Sequence, residues 1–263
     1  MIYHPYSISK LGSYTQCPYK FKLKYIDKIK VPFTYNVALY KGSYIHQVLE
    51  EDYNYETEFK TTSVFTPDEK AKAEQIVRNF EASELGQFYK DVIADPNIPH
   101  QHEGKFAIKI VDSQLVLCDY YDKDAWIRGA LDLEYQEPET VYNVDWKSGK
   151  NKSQDETFGI DQSMAYSIYL MLKYPHIDTF VSKFVFVEHN EEKEIIYTRD
   201  KFNEYVKHFY KQTKTVESDK IYDTAVTALC NWCDFYAHGH CTAPDKKEEE
   251  AKNLMGSTIS FDF

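Results

Sequence analysis

The sequence is short of the features that would place a protein in a membrane or outside the cell. No uninterrupted apolar run approaches the roughly 18 residues of a membrane span, and Met1-Ile2-Tyr3-His4-Pro5 lacks the layout of a secretory signal. A reducing cytosol is therefore the expected compartment. Cysteine is scarce, five residues in 263, and a disulfide scaffold is not expected in a cytosolic chain of this size. Internal repeats are absent. An excess of basic charge is missing too: the formal net charge of -11 argues against a protein that coats nucleic acid non-specifically, which needs a broad basic surface.

What is present suffices for a substantial core. With 43% hydrophobic and 16% aromatic residues, the chain has material for one large domain or two small ones. The first hundred residues read as helical. Ser7 or Ser9 is placed to cap a helix running toward Cys17, and Pro18 opens the next. That second helix carries Lys20, Lys22, Lys24, Lys28 and Lys30 among Tyr19, Phe21 and Tyr25, with Tyr14 just before it. The stretch reads either as a track for a phosphate backbone or as a solvated face over Phe21, Leu23, Tyr25 and Ile26. Further helices are predicted from about Val37 to Tyr55 and, behind the Thr66-Pro67-Asp68-Glu69 start signal, through to about Tyr89. Asp95-Pro96-Asn97-Ile98-Pro99 breaks the pattern.

From His102 the apolar period changes to two. Lys105 to Ile110, Leu115 to Leu117, Trp126 to Glu134 and Val141 to Lys147 read as successive strands, followed by a helix over Asp161 to Leu172. A closing hairpin of Phe180 to Val187 with Glu194 to Tyr197, and a last helix from Asp200 toward residue 218, complete the pattern. The expected fold class is α/β with an α+β character: a central mixed sheet flanked by helices. Residues 1–244 are read as one domain, with helices over 1–100, a sheet-bearing core over 101–200 and a C-terminal helix and cysteine segment over 201–244.

The chemistry centres on Asp145-Trp146-Lys147. On a strand, residues i and i+2 share a face, so Asp145 and Lys147 project into one site while Val144 and Trp146 turn away. A carboxylate can hold a hard divalent cation, and a neighbouring ammonium can steady charge on a phosphate or orient a water. Asp132, on the preceding strand, is a second acid that an antiparallel neighbour can bring alongside; burying it unpaired between two leucines would be costly. His46 and Glu50 are i and i+4 on one helix face, and His46 adds a nitrogen ligand. That donor set suits Mg²⁺ or Mn²⁺. Gln162 and Tyr166 are likewise i and i+4, placed to bind a phosphate or a base at the rim.

The ordered set Gly42-x-x-x-His46-x-x-Leu49-Glu50, Gly129-x-x-Asp132, Asp145-x-Lys147 and Gln162-x-x-x-Tyr166 resembles the PD-(D/E)xK nuclease superfamily, in particular its RecB-like branch. That branch includes AddB-type nuclease domains and CRISPR-associated iron-sulfur exonucleases. The resemblance implies a restriction-endonuclease-like core and a metal-dependent DNA exonuclease acting at duplex ends or on single strands. It also implies that His46, Asp132, Asp145 and the backbone carbonyl of Trp146 hold the metal and that Lys147 assists the attacking water. Gln162 and Tyr166 would complete the DNA-binding side of the site. A structure-specific or single-strand endonuclease, and a non-catalytic DNA-end-binding adaptor, are the alternatives.

Cys230-Asn231-Trp232-Cys233, Cys241 and the early Cys17 before Pro18 supply four thiolates from both ends of the chain. Such a set suits a [4Fe-4S] cluster or a structural zinc, whereas Cys118 lies inside a strand pattern as an ordinary buried thiol. In the iron-sulfur nucleases that the chain resembles, one early cysteine and a late trio join the two termini. Here the gap from Asp234 to His240 is longer than is usual in that family and contains His238 and His240, so the identity of the fourth ligand stays open and zinc is a rival to the cluster. Residues 245–263 read as a flexible acidic tail ending in Ser260-Phe261-Asp262-Phe263, which resembles peptides that dock into replication clamps. The composition, with no helicase portion, is compatible with a phage or mobile-element origin.

Overall fold

Helices and strands are laid down in blocks, as the change of period at His102 predicts. The first block is α1 (Ile8–Gln16), α2 (Pro18–Phe21) continued by a wider π-type turn over Lys22–Ile26, α3 (Val37–Glu50), α4 (Pro67–Glu81) and α5 (Glu84–Ala94). Four strands follow: β1 (His100–Val111), β2 (Gln114–Cys118), β3 (Ile127–Gln136) and β4 (Thr140–Lys147). Then come α6 (Ile160–Lys173), β5 (Thr179–Phe186), β6 (Glu191–Thr198), α7 (Phe202–Ser218) and the short α8 (Asp234–Ala237). The computed structural model describes residues 5–32, 36–56, 65–245 and 247. They fall into a larger unit, His4–Ile8 with Tyr35–Lys211, and a smaller one, Met1–Tyr3 with Ser9–Thr34 and Gln212–Phe263.

The larger unit is built on a six-stranded sheet in the order β2-β1-β3-β4-β5-β6. Every neighbouring pair is antiparallel except β4 and β5, which run parallel because α6 returns the chain across the sheet between them. This is the mixed, helix-flanked sheet expected from the sequence. Against one face pack α3, α4 and α5, through Tyr44, Ile45, Val48, Leu49, Val77, Phe80 and Tyr89. Trp146 stands in this core, 1% exposed, with the rings of Phe80 and Tyr89 edge-on to it. Its partner residue on the pleat, Asp145, is thereby turned the other way.

Local sequence explains the helix starts. Asn36 accepts from the backbone of Ala38 and Leu39, and Thr66 forms a full capping box with Glu69 behind Pro67. The single helix expected to reach Tyr89 is two. Ser83 accepts from Gly86 N at 3.1 Å and donates to Phe80 O at 2.6 Å, ending α4 and starting α5. At the joint, a Cβ on Gly86 would lie 1.9 Å from the Phe80 carbonyl oxygen, which is backbone and cannot swing aside. Gly86→Ala is therefore expected to cost on the order of 3 kcal/mol, read as a lower midpoint in urea unfolding with an unchanged slope.

In the smaller unit, Phe21 and Leu23 are buried, with Phe21 edge-on to Tyr14 and stacked on Tyr222. Three of the five lysines of this stretch are engaged locally: Lys20 with Gln16 at 3.0 Å, Lys22 with Asp27 at 2.5 Å, and Lys24 over the Tyr25 ring. Of the two readings of the basic stretch, this favours a solvated face over an apolar core. Among the described residues, no helix is long and apolar enough to cross a membrane. The terminal Ser260-Phe261-Asp262-Phe263 peptide lies outside the described residues.

Candidate active site

The register of β3 and β4 decides how the two acids meet. Their ladder includes the pair Leu133↔Val144, and one step further Asp132 stands across from Asp145. There the Trp146 N–H turns from the ladder and donates to Asp132 Oδ2 at 2.8 Å, which anchors that carboxylate. Helix α3 lies above the same point. His46 Nδ1 is 3.4 Å from Asp132 Oδ2 and 3.9 Å from Glu50 Oε1. One ligand atom from each of His46, Glu50 and Asp132 lies within 4.8 Å of the others.

Asp145 belongs to an adjoining ring of contacts. It is 4% exposed and pairs directly with Lys147. Lys147 Nζ also donates to Gln162 Oε1 at 3.1 Å, while Gln162 Nε2 donates to Asp145 Oδ1 at 2.5 Å and to Tyr166 OH at 2.7 Å. Tyr166 OH approaches the same Asp145 oxygen at 3.5 Å. The helical spacing of Gln162 and Tyr166 thus brings both onto Asp145 and Lys147. The rings of Phe158 and Phe184 lie 6.0 and 5.4 Å from Lys147 Nζ, a cation–π enclosure that narrows where the ammonium can point.

The six predicted side chains come together in two adjoining groups, His46 and Asp132 joined by Glu50, and Asp145 with Lys147, Gln162 and Tyr166. Two acids escaped the sequence reading as site members. Glu50 was visible at i+4 from His46. Glu103 had no local signal: the pairs His102↔Leu133 and Gly104↔Leu131 bracket it opposite Asp132, with its backbone at a left-handed φ of 48°.

The electrostatics follow from crowding acids in a half-closed site. Burial pushes Asp145 up to about 6, with Asp132 adding to the rise and Lys147 opposing it. Burial likewise lifts Glu50 to about 8, reinforced by Glu103 and Asp132 and opposed by His46. For His46, burial works against protonation, but Asp132, Asp145 and Glu50 outweigh it and the net shift is upward. Such a set fits a divalent cation: oxygen donors with one imidazole, and mutual repulsion that a cation would relieve. Metal-free protein is expected to reveal this repulsion. The folded state keeps a proton on Glu50 that the unfolded chain releases in the ordinary carboxylate range, so stability falls as pH rises from about 4.5 through about 8. Glu50→Gln is expected to flatten that fall, and saturating Mn²⁺ to reverse it in the wild type, both measured by thermal melts across pH.

The thiols form a second constellation within the smaller unit. Cys17, Cys230, Cys233 and Cys241 line one cavity together with Leu23, Leu229 and Phe235. Burial raises the Cys241 thiol above its usual range, helped by the proximity of Cys17, Cys233 and Cys230. Cys17 Sγ accepts from the backbone N–H of Lys20 and of Ala225, each at 3.5 Å. Cys118 lies elsewhere, at the end of β2.

A mixed sheet whose central strand presents an acid and a lysine two residues apart, beside a second acid on the neighbouring strand, defines the nuclease class. The chain belongs to the PD-(D/E)XK nuclease superfamily, whose model matches residues 5–238. Among solved structures, a protein from Eubacterium rectale with a provisional exonuclease assignment is similar over 89% of this chain and 88% of its own, with a TM-score of 0.54 and 14% identity, a likeness of fold. A weaker likeness, TM-score 0.42 at 14% identity, covers 93% of this chain and 88% of the protein SSO0001. No curated protein matches the sequence.

Proposed function

We propose that this chain is a divalent-metal-dependent deoxyribonuclease of the RecB-like branch, acting as an exonuclease on DNA ends or single strands. The observation that carries the reading is the meeting of His46, Glu50 and Asp132 ligand atoms within 4.8 Å, next to the Asp145–Lys147 pair on β4. In this reading His46, Asp132, Asp145 and the Trp146 carbonyl hold Mg²⁺ or Mn²⁺, and Glu50 joins them. Such an ion supplies Lewis-acid polarisation of the scissile phosphate and a more acidic water.

The remaining work falls to side chains of the protein. Lys147, steadied by Asp145 and Gln162, offers its ammonium to a non-bridging phosphate oxygen or to the attacking water as charge accumulates. Gln162 reads the state of both neighbours, accepting from Lys147 and donating to Asp145, so it fixes their relative position. Tyr166 backs this arrangement from the next helical turn. The Trp146 N–H keeps Asp132 from rotating away. Residues 1–244 act as one nuclease domain, a reading supported by the family match over 5–238.

The four thiols of the smaller unit are assigned to a [4Fe-4S] cluster, with zinc as the alternative. One feature supports a shared metal at these thiols: all four line one cavity. The acidic, aromatic C-terminal peptide is assigned to docking on a replication clamp or similar partner, on its sequence alone.

End-labelled linear DNA and a covalently closed circle, each with and without Mn²⁺, test the activity. Linear DNA is expected to be degraded only with the metal, and the circle to survive. Cutting of the circle would replace the exonuclease by an endonuclease, and binding of DNA ends without hydrolysis would leave an adaptor.

A further inference from the structure

We propose that a basic cavity beside the reactive centre, walled by Lys41, Lys150 and the Ser148–Gly149 backbone, binds a phosphate of the substrate strand next to the scissile one. The inference rests on the nuclease reading for its substrate class. The cavity, about 440 Å³, lies in the larger unit between the first turns of α3 (Ala38, Lys41), the loop leaving β4 (Ser148 to Asn151) and the β5–β6 turn (Glu188, His189). That volume falls in the range of sites for nucleotide-sized ligands.

The charge of the lining selects an anion. Two lysines face one lining acid, Glu188, which Lys41 takes up at 2.8 Å, while the nearby Glu191 is held by Ser153 and Asn151. Lys150 has no ion-pair partner among the described residues, and His189 stands on the rim. The first turn of α3 carries no acidic residue, so the positive helix end adds to the field. A protein of net charge -11 that works on DNA must concentrate its phosphate contacts somewhere. Lys147, Lys150 and Lys152 place three cations within six positions of sequence.

Continuity with the reactive centre sets the ligand's shape. Ala38, Gly42, His46 and Glu50 recur every four residues and form one stripe of α3. Ala38 lines the cavity, while His46 and Glu50 belong to the acid group. Between them Gly42 allows the β4 loop to close in: a Cβ there would stand 2.9 Å from Ser148 Oγ. From Ala38 to His46 the helix rises about 12 Å, a span that an extended strand covers in a couple of nucleotides. The chain also runs directly from Lys147 into Ser148, Gly149 and Lys150, so a strand with one phosphate at Lys147 can reach the cavity with a following one.

Binding of a fluorescent single-stranded oligonucleotide to the full chain, followed by anisotropy in chelator across a salt series, tests the site without cleavage. Lys150→Gln and Lys41→Gln are each expected to weaken binding several-fold at low salt and to reduce the magnitude of the slope of log K against log salt by about 0.7. Glu188→Gln is expected to tighten binding, because it frees Lys41, whereas Lys72→Gln on the exposed face of α4 should match the wild type. A 5′-phosphorylated oligonucleotide that binds better than its 5′-hydroxyl form, with the excess lost in Lys150→Gln, assigns the site to a terminal phosphate; equal binding assigns it to an internal phosphodiester. Unchanged affinity and slope in both lysine variants, or a wild type that binds neither oligonucleotide, would overturn the proposal. Cleavage by wild type with Mn²⁺ is scored separately: lost cleavage with the stated slopes removes the nuclease reading alone, and intact cleavage with unchanged slopes removes the phosphate site alone.

Discussion

Asp145→Asn is expected to leave a folded protein whose DNA cleavage has fallen by about three orders of magnitude or more, since a metal-binding and charge-orienting carboxylate is lost from the transition state. The fold should survive because the amide has the same shape and its oxygen can still accept from Gln162 Nε2. Burial already disfavours the carboxylate, lifting it to about 6, so removing its charge takes away a cost in the metal-free protein. The thermal midpoint without metal should therefore stay level or rise, while the stabilisation by Mn²⁺ shrinks. Cleavage of end-labelled oligonucleotide, with melts in chelator and in Mn²⁺, reads both effects. Hydrolysis within tenfold of wild type would remove Asp145 from the mechanism.

The second large effect belongs to the smaller unit. Anaerobically purified wild type is expected to show broad visible absorption, and Cys17→Ser to lose it along with most of the soluble yield. Structural metal contributes on the order of 10 kcal/mol in small metal-bound folds, far more than the Phe21, Leu23 and Tyr222 core can replace. Limited proteolysis of Cys17→Ser should open chain within 9–34 and 212–245 while residues 65–211 stay protected. A colourless wild type holding one equivalent of zinc would transfer the thiols to the alternative metal. Metal content and midpoint equal to wild type in Cys17→Ser would end both assignments.

Legibility of the site tracked how local each signal was. The alternation that sends Trp146 into the core and Asp145 with Lys147 out of it is a property of one strand, and the sequence alone carries it. The same holds for His46 with Glu50 and for Gln162 with Tyr166, four residues apart on helices. The break at Ser83 was missed because apolar periodicity runs on through Leu85 and Tyr89, and the tie of Ser83 to Phe80 depends on a local turn that the pattern does not register. The lysines between Lys20 and Lys30 allow two readings from sequence, a phosphate track or a solvated face, because the partners of Lys20 and Lys22 are set by the local turns rather than by the charge pattern.

The sequence by itself determined which side chains could do the chemistry, where helices give way to strands, and which superfamily the chain resembles, because each of these depends on neighbours within about four residues. Only the tertiary structure decided that Glu50 and Glu103 crowd Asp132, that Gln162 bridges Asp145 to Lys147, and that a cavity opens beside Ser148. Those relations come from strand register and from the packing of α3 and α6 against the sheet, which bring together residues far apart in the chain.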